Sequence, residues 1–327
     1  MFSVVIPLYN KAHIIDRTIA SVLTQTMSDF ELIIVNDGST DNGLDIIQKY
    51  LIDPRIKIIN QVNQGVSAAR NRGVKESKFD YVAFLDGDDE WLPGFLAKVK
   101  EAIELYPKAG MFGSTSWHKN IITGSSSDVT LDRYKEKIKQ IEFFENPHIM
   151  PHTSAMIVSR KIFNQTFSNG DGFPVGMKCC EDLSCFYRMA FYTPLIYIGY
   201  PLGIRNSGVF GQITELSKEE RFKLLKHVVD FYNLTHRTWI NLEVKNNYYA
   251  IFIMYDLRHR IMASLRDNDY KTINYILTEL DTVIVNLFPK FELSLYLNRK
   301  LKFYAKCYIY FTKILWRRKG YPRVGHS

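Results

Sequence analysis

The chain has 327 residues, 46% hydrophobic and 23% charged, which excludes a disordered chain and allows one large core plus a smaller partner. Its formal charge of +8 sits at one end: beyond Glu292 come Arg299, Lys300, Lys302, Lys306, Lys313, Arg317, Arg318, Lys319 and Arg323, with no acid. Taking those nine from the 42 basic residues leaves 33 against 34 acidic ones, so the near-neutral body argues against nucleic-acid binding, and the basic, aromatic tail points to an anionic surface.

Met1 to Asn10 carries no early positive charge and only a short apolar run, unlike a secretory leader. No segment offers the ~20 apolar residues of a membrane-spanning helix. Ala190 to Ile204 comes nearest, but Pro194, Gly199, Pro201 and Gly203 interrupt it. Cys179, Cys180, Cys185 and Cys307 lack the C-x-x-C spacing and read as reduced thiols. These features predict a cytoplasmic protein.

The first hundred residues alternate strand and helix signals. Phe2 to Leu8 is an apolar β-rich run, followed by a helical pattern of Ile15, Ile19, Val22 and Leu23. Phe30 to Val35 is a second strand, halted by Asn36-Asp37-Gly38; Asp41 to Leu51 reads as a helix and Ile56 to Asn60 as a third strand. A helix over Ser67 to Glu76, a strand over Tyr81 to Leu85 and a helix over Pro93 to Tyr106 complete the pattern. Repeated βα units predict an α/β fold with a mostly parallel sheet and helices on both faces. Residues 113–172 read as loop-rich. Helical signals begin at Ser217, which forms a capping-box pattern with Glu220. The expected division is a domain over 1–215 and a helical C-terminal region over 216–327.

Ligands of such sheets bind beyond the carboxyl ends of the strands, so the polar residues there carry the interest. Asp86-Gly87-Asp88-Asp89 follows the fourth strand; hard carboxylate oxygens suit Mg²⁺ or Mn²⁺ bridged to phosphate, although a solvated acidic turn reads the same way. Asp37 follows the second strand and can accept from a base N–H, whereas Asp41 reads as a helix cap. Arg70 and Arg72 lie on the third helix; one can face a nucleotide, and Arg72 fits a surface position. Glu181 and Asp182 open an apolar helical run over Leu183 to Phe191. Neighbouring carboxylates diverge on a helix, so one can face a pocket while the other pairs or caps.

In order and spacing these clusters resemble family 2 glycosyltransferases, which have the GT-A fold. The matching text is FSVVIPLYN at 2–10, SVLTQT at 21–26, FELIIVNDGSTD at 30–41, NQGVSAARNRG at 63–73, YVAFLDGDDEWLPGFL at 81–96 and CEDLSCFYRM at 180–189. The match is dense over about the first hundred residues and sparse to about 210. It implies a Rossmann-like sheet flanked by helices and an inverting, metal-dependent sugar transfer. The donor implied is a nucleotide sugar, with UDP the expected nucleotide. The acceptor implied is a saccharide hydroxyl, lipid-linked in many bacterial relatives, for cell-surface polysaccharide synthesis. Carried over by position, Pro7 and Tyr9 line the nucleotide site, Asp37 contacts the base, Arg70 lies beside the nucleotide and Asp86 near the ribose. Asp88 ligates the Mn²⁺ or Mg²⁺ ion, Asp182 is the general base, and Glu181 and Arg205 are donor or acceptor contacts. Relatives often carry a histidine where Ser207 stands, which leaves that role open. The competing reading is a non-catalytic nucleotide-sugar-binding or membrane-surface interaction protein.

In the tail, Leu297, Leu301, Tyr304, Tyr308, Phe311 and Leu315 recur at spacings of four and three, opposite Arg299, Lys302, Lys306 and Lys313. This stripe predicts either packing against the protein or peripheral contact of 296–319 with the inner face of the cell membrane.

Overall fold

The computed structural model describes residues 1–145, 151–209, 217–243 and 247–318. The tail residues Lys319 and Arg323 and the expected boundary at 215 lie outside them. The chain divides into two compact units, one of residues 1–141 and 150–215, the other of 142–149 and 216–327.

The first unit opens with β1 (Phe2–Leu8), α1 (Ile15–Leu23), β2 (Phe30–Asp37), α2 (Gly43–Gln48), β3 (Ile56–Gln61), α3 (Val66–Glu76) and β4 (Tyr81–Phe84). It continues through β5 (Glu90–Trp91), α4 (Phe95–Leu105), β6 (Met111–Asn120), β7 (Ser126–Asp128), β8 (Ile138–Ile141), β9 (Met156–Ser159), α5 (Arg160–Thr166), α6 (Glu181–Met189) and β10 (Leu195–Ser207). All these strands join one sheet, ordered β3-β2-β1-β4-β9-β6-β10-β5, with β7 on β6 and β8 on β10. The block β3-β2-β1-β4 is parallel throughout. β9 then enters antiparallel to both β4 and β6. Strand order reverses about β1, so the crevice for a ligand opens beyond the carboxyl ends of β1 and β4.

β1 and β2 are buried along almost their whole length, as parallel strands covered on both faces must be. Phe2, Val4, Ile6 and Leu8 point to one face and pack with Ile15, Ile19 and Val22 of α1 and Phe95 and Val99 of α4. The other face receives α3, and the approach is close: a Cβ on Gly73 would lie 2.2 Å from a methyl of Val5. Only glycine allows that contact, and it seats Arg70, one turn earlier on the same helical face, against the sheet. Pro7 sits in a central strand without cost, because β4 stops pairing with β1 at Val5 while β2 continues to Leu8. Its missing N–H therefore falls past the end of β4.

The structure refines three readings. Residues 113–172 are loop-rich but not structureless: they hold most of β6, all of β7, β8 and β9, and α5. β6 escapes detection because Gly113-Ser114-Thr115-Ser116, though buried, lacks apolar alternation. The interrupted run over 190–204 is largely β10, whose register shifts between Ile198 and Gly203 absorb Pro201 as a bulge. Pro93 lies before α4, whose N-cap is Gly94, rather than in its first turn.

The second unit is helical: α7 (Lys218–Lys223), α8 (Leu225–Ile240), α9 (Asn247–Arg266), α10 (Tyr270–Glu279), α11 (Thr282–Val285), α12 (Lys290–Leu297) and α13 (Lys302–Arg318). Ser217 and Glu220 exchange capping hydrogen bonds: Ser217 N–H donates to the Glu220 carboxylate at 2.9 Å and Glu220 N–H to Ser217 Oγ at 3.3 Å. Glu292 of α12 is fully buried and accepts two bonds from Arg258 of α9, at 2.7 and 2.8 Å, and one from Tyr308 of α13 at 3.1 Å. One carboxylate thus ties three helices together, and its burial is tolerable because every bond is charge-assisted or from a hydroxyl. Among the described residues no helix is long and apolar enough to cross a membrane. The expected tail stripe is not continuous. The chain leaves helical geometry at Asn298, so Leu297 belongs to α12, and α13 buries Ala305 and Ile309 while exposing Tyr304, Phe311 and Leu315.

Candidate active site

The loops leaving β1, β2 and β3 interlock. Asn10, in the left-handed region at φ 50°, accepts on its side-chain oxygen from the N–H groups of Thr40 and Asp41, at 2.8 and 3.3 Å. Its own N–H donates to Ser39 Oγ at 3.2 Å. Asp41 accepts from Ala12 N–H at 2.8 Å and from Gly43 N–H, the first amide of α2, at 3.1 Å. It thus serves the helix start and also fastens the loop after β1.

Asp37 is 3% exposed. Its carboxylate accepts from Gln61 Nε2 at 2.8 Å, Gln64 N–H at 2.9 Å and Gly65 N–H at 2.8 Å. It pins the segment that starts α3, where Gly65 takes φ 90°, and keeps limited lone-pair capacity for a further donor. Pro7 stands at the end of β1, and the Tyr9 ring is 46% exposed beside it in sequence.

At the centre lies Arg70, its side chain 4% exposed. It donates to Asp86 Oδ1 at 2.7 Å and to Glu181 Oε1 at 3.0 Å, and its guanidinium lies 5.3 Å from the centroid of Phe173. Phe84, Phe173 and Phe186 form a ring cluster with centroid distances of 5.1, 5.8 and 6.2 Å that docks α6 onto β4. Apolar packing therefore delivers Glu181 to the arginine. Burial opposes charge on Arg70, but Asp86, Glu181 and Asp182 outweigh it and raise its pKa. Burial likewise opposes charge on Asp86, and Arg70 more than reverses that, holding the carboxyl below its ordinary value. Glu181 is pushed up by burial and by Asp182. Arg72 is a surface residue, paired with Glu76 at 2.9 Å.

Asp88 Oδ2 meets Lys11 Nζ at 2.8 Å. Asp182 is held at both oxygens: Thr153 Oγ1 donates to Oδ2 at 2.9 Å and Leu183 N–H to Oδ1 at 2.7 Å. Ser154, the next residue, accepts from Asp86 N–H at 3.1 Å and donates to Asp89 Oδ2 at 2.5 Å. The short 3₁₀ turn Thr153–Ala155 thus joins the Asp86–Asp89 segment to Asp182. Asp89 is buried and also accepts from Asn206 N–H at 2.9 Å; burial, then Asp86 and Asp88, pushes its carboxyl up to about 8. His152 Nδ1 lies 3.7 Å from Asp89 Oδ2. Burial and then Arg205 push His152 down to about 3, so it is neutral. Arg205 is exposed on β10, in register with His118 of β6. Ser207 donates to Lys119 C=O at 3.4 Å.

Hydrogen bonds and ion pairs therefore draw Arg70, Asp86, Glu181 and Asp89 into one network; Thr153, next to Ser154, brings Asp182 to it, Asp88 lies on the same turn, and Asp37 holds the start of the helix that carries Arg70. Lys11, His152, Thr153, Ser154 and Asn206 were not singled out from sequence. The only signal available was the polar triplet His152-Thr153-Ser154 just before the apolar strand Met156–Ser159. Among the described residues no three His, Cys, Asp or Glu side chains are grouped to hold a metal by themselves. Asp88 does offer a hard oxygen donor beside the crevice, which fits a cation that takes its remaining ligands from phosphate and water.

The sequence profile of glycosyl transferase family 2 matches residues 3–167. An uncharacterized glycosyltransferase of Nostoc sp. is 36% identical over 200 residues, 58% of this chain and 59% of that protein. Chondroitin synthase of Pasteurella multocida is 44% identical over 90 residues, 27% of this chain and 9% of that protein. The chain thus spans 59% of the first relative and far less of the second. A crystal structure of S. aureus TarS 1–349 in complex with UDP-GlcNAc matches with a TM-score of 0.68 at 17% identity, over 98% of this chain and 92% of that one. At such low identity the likeness concerns the fold, and it agrees with the GT-A architecture built up above. With the sequence profile covering half the chain and the sheet order setting β1 and β4 about a common crevice, this protein belongs to glycosyl transferase family 2.

Proposed function

We propose that the chain is an inverting, metal-dependent hexosyltransferase that moves a sugar from a UDP-sugar to an acceptor hydroxyl. The observation that carries this reading is Arg70 bridging Asp86 and Glu181 at the mouth of the β1/β4 crevice, with Asp182 beside Glu181 on α6. The UDP-GlcNAc complex of TarS and the chondroitin synthase relative support a nucleotide-sugar donor and a saccharide acceptor. A lipid-linked saccharide for cell-surface polysaccharide is the acceptor class we favour.

Pro7, Tyr9 and Asp37 take the nucleotide base, with the exposed Tyr9 ring offering an aromatic surface. Asp86, fixed by Arg70, takes the ribose. Asp88 holds the Mn²⁺ or Mg²⁺ ion, which when bound neutralises the diphosphate as it leaves. Asp182 accepts the acceptor's proton while that oxygen attacks the anomeric carbon from the face opposite the nucleotide, inverting the configuration. Glu181 and Arg205 contact donor or acceptor.

A thermal-shift screen of nucleotides and UDP-sugars with and without Mn²⁺, followed by mass spectrometry of products on saccharide acceptors, tests this reading. Stabilisation by UDP that grows with Mn²⁺ is expected. No stabilisation by any nucleotide would favour a non-catalytic interaction protein.

A further inference from the structure

α13 has two faces with opposite fates. Ala305 and Ile309 are fully buried, and α13 packs on α9 and α12. Phe303, Tyr304, Tyr310, Phe311 and Leu315 are 42–71% exposed. At 100° per residue they gather, with Cys307, on the side opposite Ala305 and Ile309. Large aromatic side chains collected on one exposed helix face are uncommon in a protein that keeps only water for company.

Charge decides what covers this face. Lys302, Lys306 and Lys313 fall along one flank of it by the same geometry, with Arg299 and Lys300 just before the helix. Lys302 also bonds Asn268, and Lys313 lies 3.5 Å from His259 Nδ1. No acid follows Glu292, which is itself consumed by Arg258. A second copy of this helix would bring like charges together, and a neutral apolar partner would leave the cations unused. An anionic bilayer takes both: aromatic rings at the headgroup boundary and lysines beside the phosphates.

We infer that the exposed aromatic face of α13 is an interfacial docking surface for anionic lipid membrane. The helix lies in the membrane plane with Phe303, Tyr310 and Phe311 inserted and its basic flank on the headgroups. This assignment is independent of the catalytic reading.

The test is co-sedimentation of the full chain with vesicles of phosphatidylcholine alone and of phosphatidylcholine mixed with phosphatidylglycerol. The wild type is expected to pellet with the anionic vesicles and to be released as salt rises. Replacing the exposed rings together (Phe303→Ser, Tyr310→Ser and Phe311→Ser) is expected to weaken binding at least tenfold. Lys300→Glu with Lys306→Glu leaves the rings intact and is expected to abolish the preference for anionic lipid, since each cation at such a surface is worth about fivefold. Failure of the wild type to pellet with anionic vesicles would overturn the inference, as would charge-reversed protein that binds both vesicles as the wild type does. Self-association in solution that the ring substitutions abolish, without vesicle binding, would assign the face to a second copy instead.

Discussion

Thr153 donates its hydroxyl hydrogen to Asp182 Oδ2 at 2.9 Å, while Leu183 N–H holds Oδ1 at 2.7 Å. The carboxylate is fixed in rotation, and each oxygen retains a lone pair. A base so placed loses little freedom when an acceptor hydroxyl arrives. Thr153→Val keeps the shape and removes the donor. Turnover is expected to fall about five- to tenfold, the value of one hydrogen bond, with KM for the donor unchanged. Thr153→Ser should restore the rate. Equal loss in the valine and serine variants would mean the residue only packs.

Asp182→Asn and Asp88→Ala separate the two carboxylate roles. Asp182→Asn is expected to lower kcat by about 10²–10⁴ while UDP-sugar still binds, as read by calorimetry. Asp88→Ala should instead weaken donor binding in the presence of Mn²⁺ and leave metal-free nucleotide binding little changed. Full turnover in the asparagine variant would remove Asp182 as the base and leave the Thr153 contact without a catalytic purpose. If Asp182→Asn is dead but Thr153→Val is wild type, only the positioning role fails.

Arg70 is the test of the network as a structure. Arg70→Met leaves Glu181 and the part-buried Asp86, whose side chain is 30% exposed, without their cation. Breaking a fully buried pair from one side costs about 3–5 kcal/mol; solvent at Asp86 reduces that here, and a drop in thermal midpoint at neutral pH is still expected. Asp86 has its pKa lowered in the fold, so its contribution is present above the ordinary carboxylate range and is lost as pH falls through the depressed value. The variant should therefore lie closest to the wild type in strong acid. A methionine variant as stable as the wild type at neutral pH would show that the pairs contribute nothing.

The parallel half of the fold was legible because β1, β2 and β4 are apolar runs that end in polar residues, and a doubly wound sheet puts those residues at its ligand edge. The acids Asp37, Asp86 and Asp88 stood out for the same reason, and Asp182 because it opens an apolar helical run. Their partners did not. Lys11 meets Asp88 across 77 residues and Thr153 meets Asp182 across 29, and neither lysine nor threonine in a loop carries a signal of its own. β6 was missed because its buried stretch, Ser114 to Ser116, is polar and held by hydrogen bonds such as Ser114 Oγ to Tyr200 C=O at 2.8 Å. The tail stripe failed for a local reason: the chain breaks at Asn298, so a period read across the break joins residues of two helices.

Asp89 gives a pH dependence that can be signed. Burial comes first, then the charges of Asp86 and Asp88, and together they raise its carboxyl from 3.8 to about 8. Between those values the folded protein holds a proton that the unfolded chain has released. Stability must therefore fall as pH rises through that window, and the fall ends once the folded form also ionises. Asp89→Asn imitates the protonated acid: its oxygen can still accept from Asn206 N–H, and its amide can donate to Ser154 Oγ. In chelator, to keep cations away from Asp88, the variant should match the wild type near pH 5. At about pH 8.5 its thermal midpoint should be higher by several degrees, because each pH unit between 5 and about 8 costs the wild type on the order of 1 kcal/mol, and ~1 kcal/mol is about 2–4 °C in a unit of this size. Parallel midpoint curves for the two proteins across that range would show that Asp89 is ionised in the fold at neutral pH, and that Ser154 and Asn206 are enough to hold its charge.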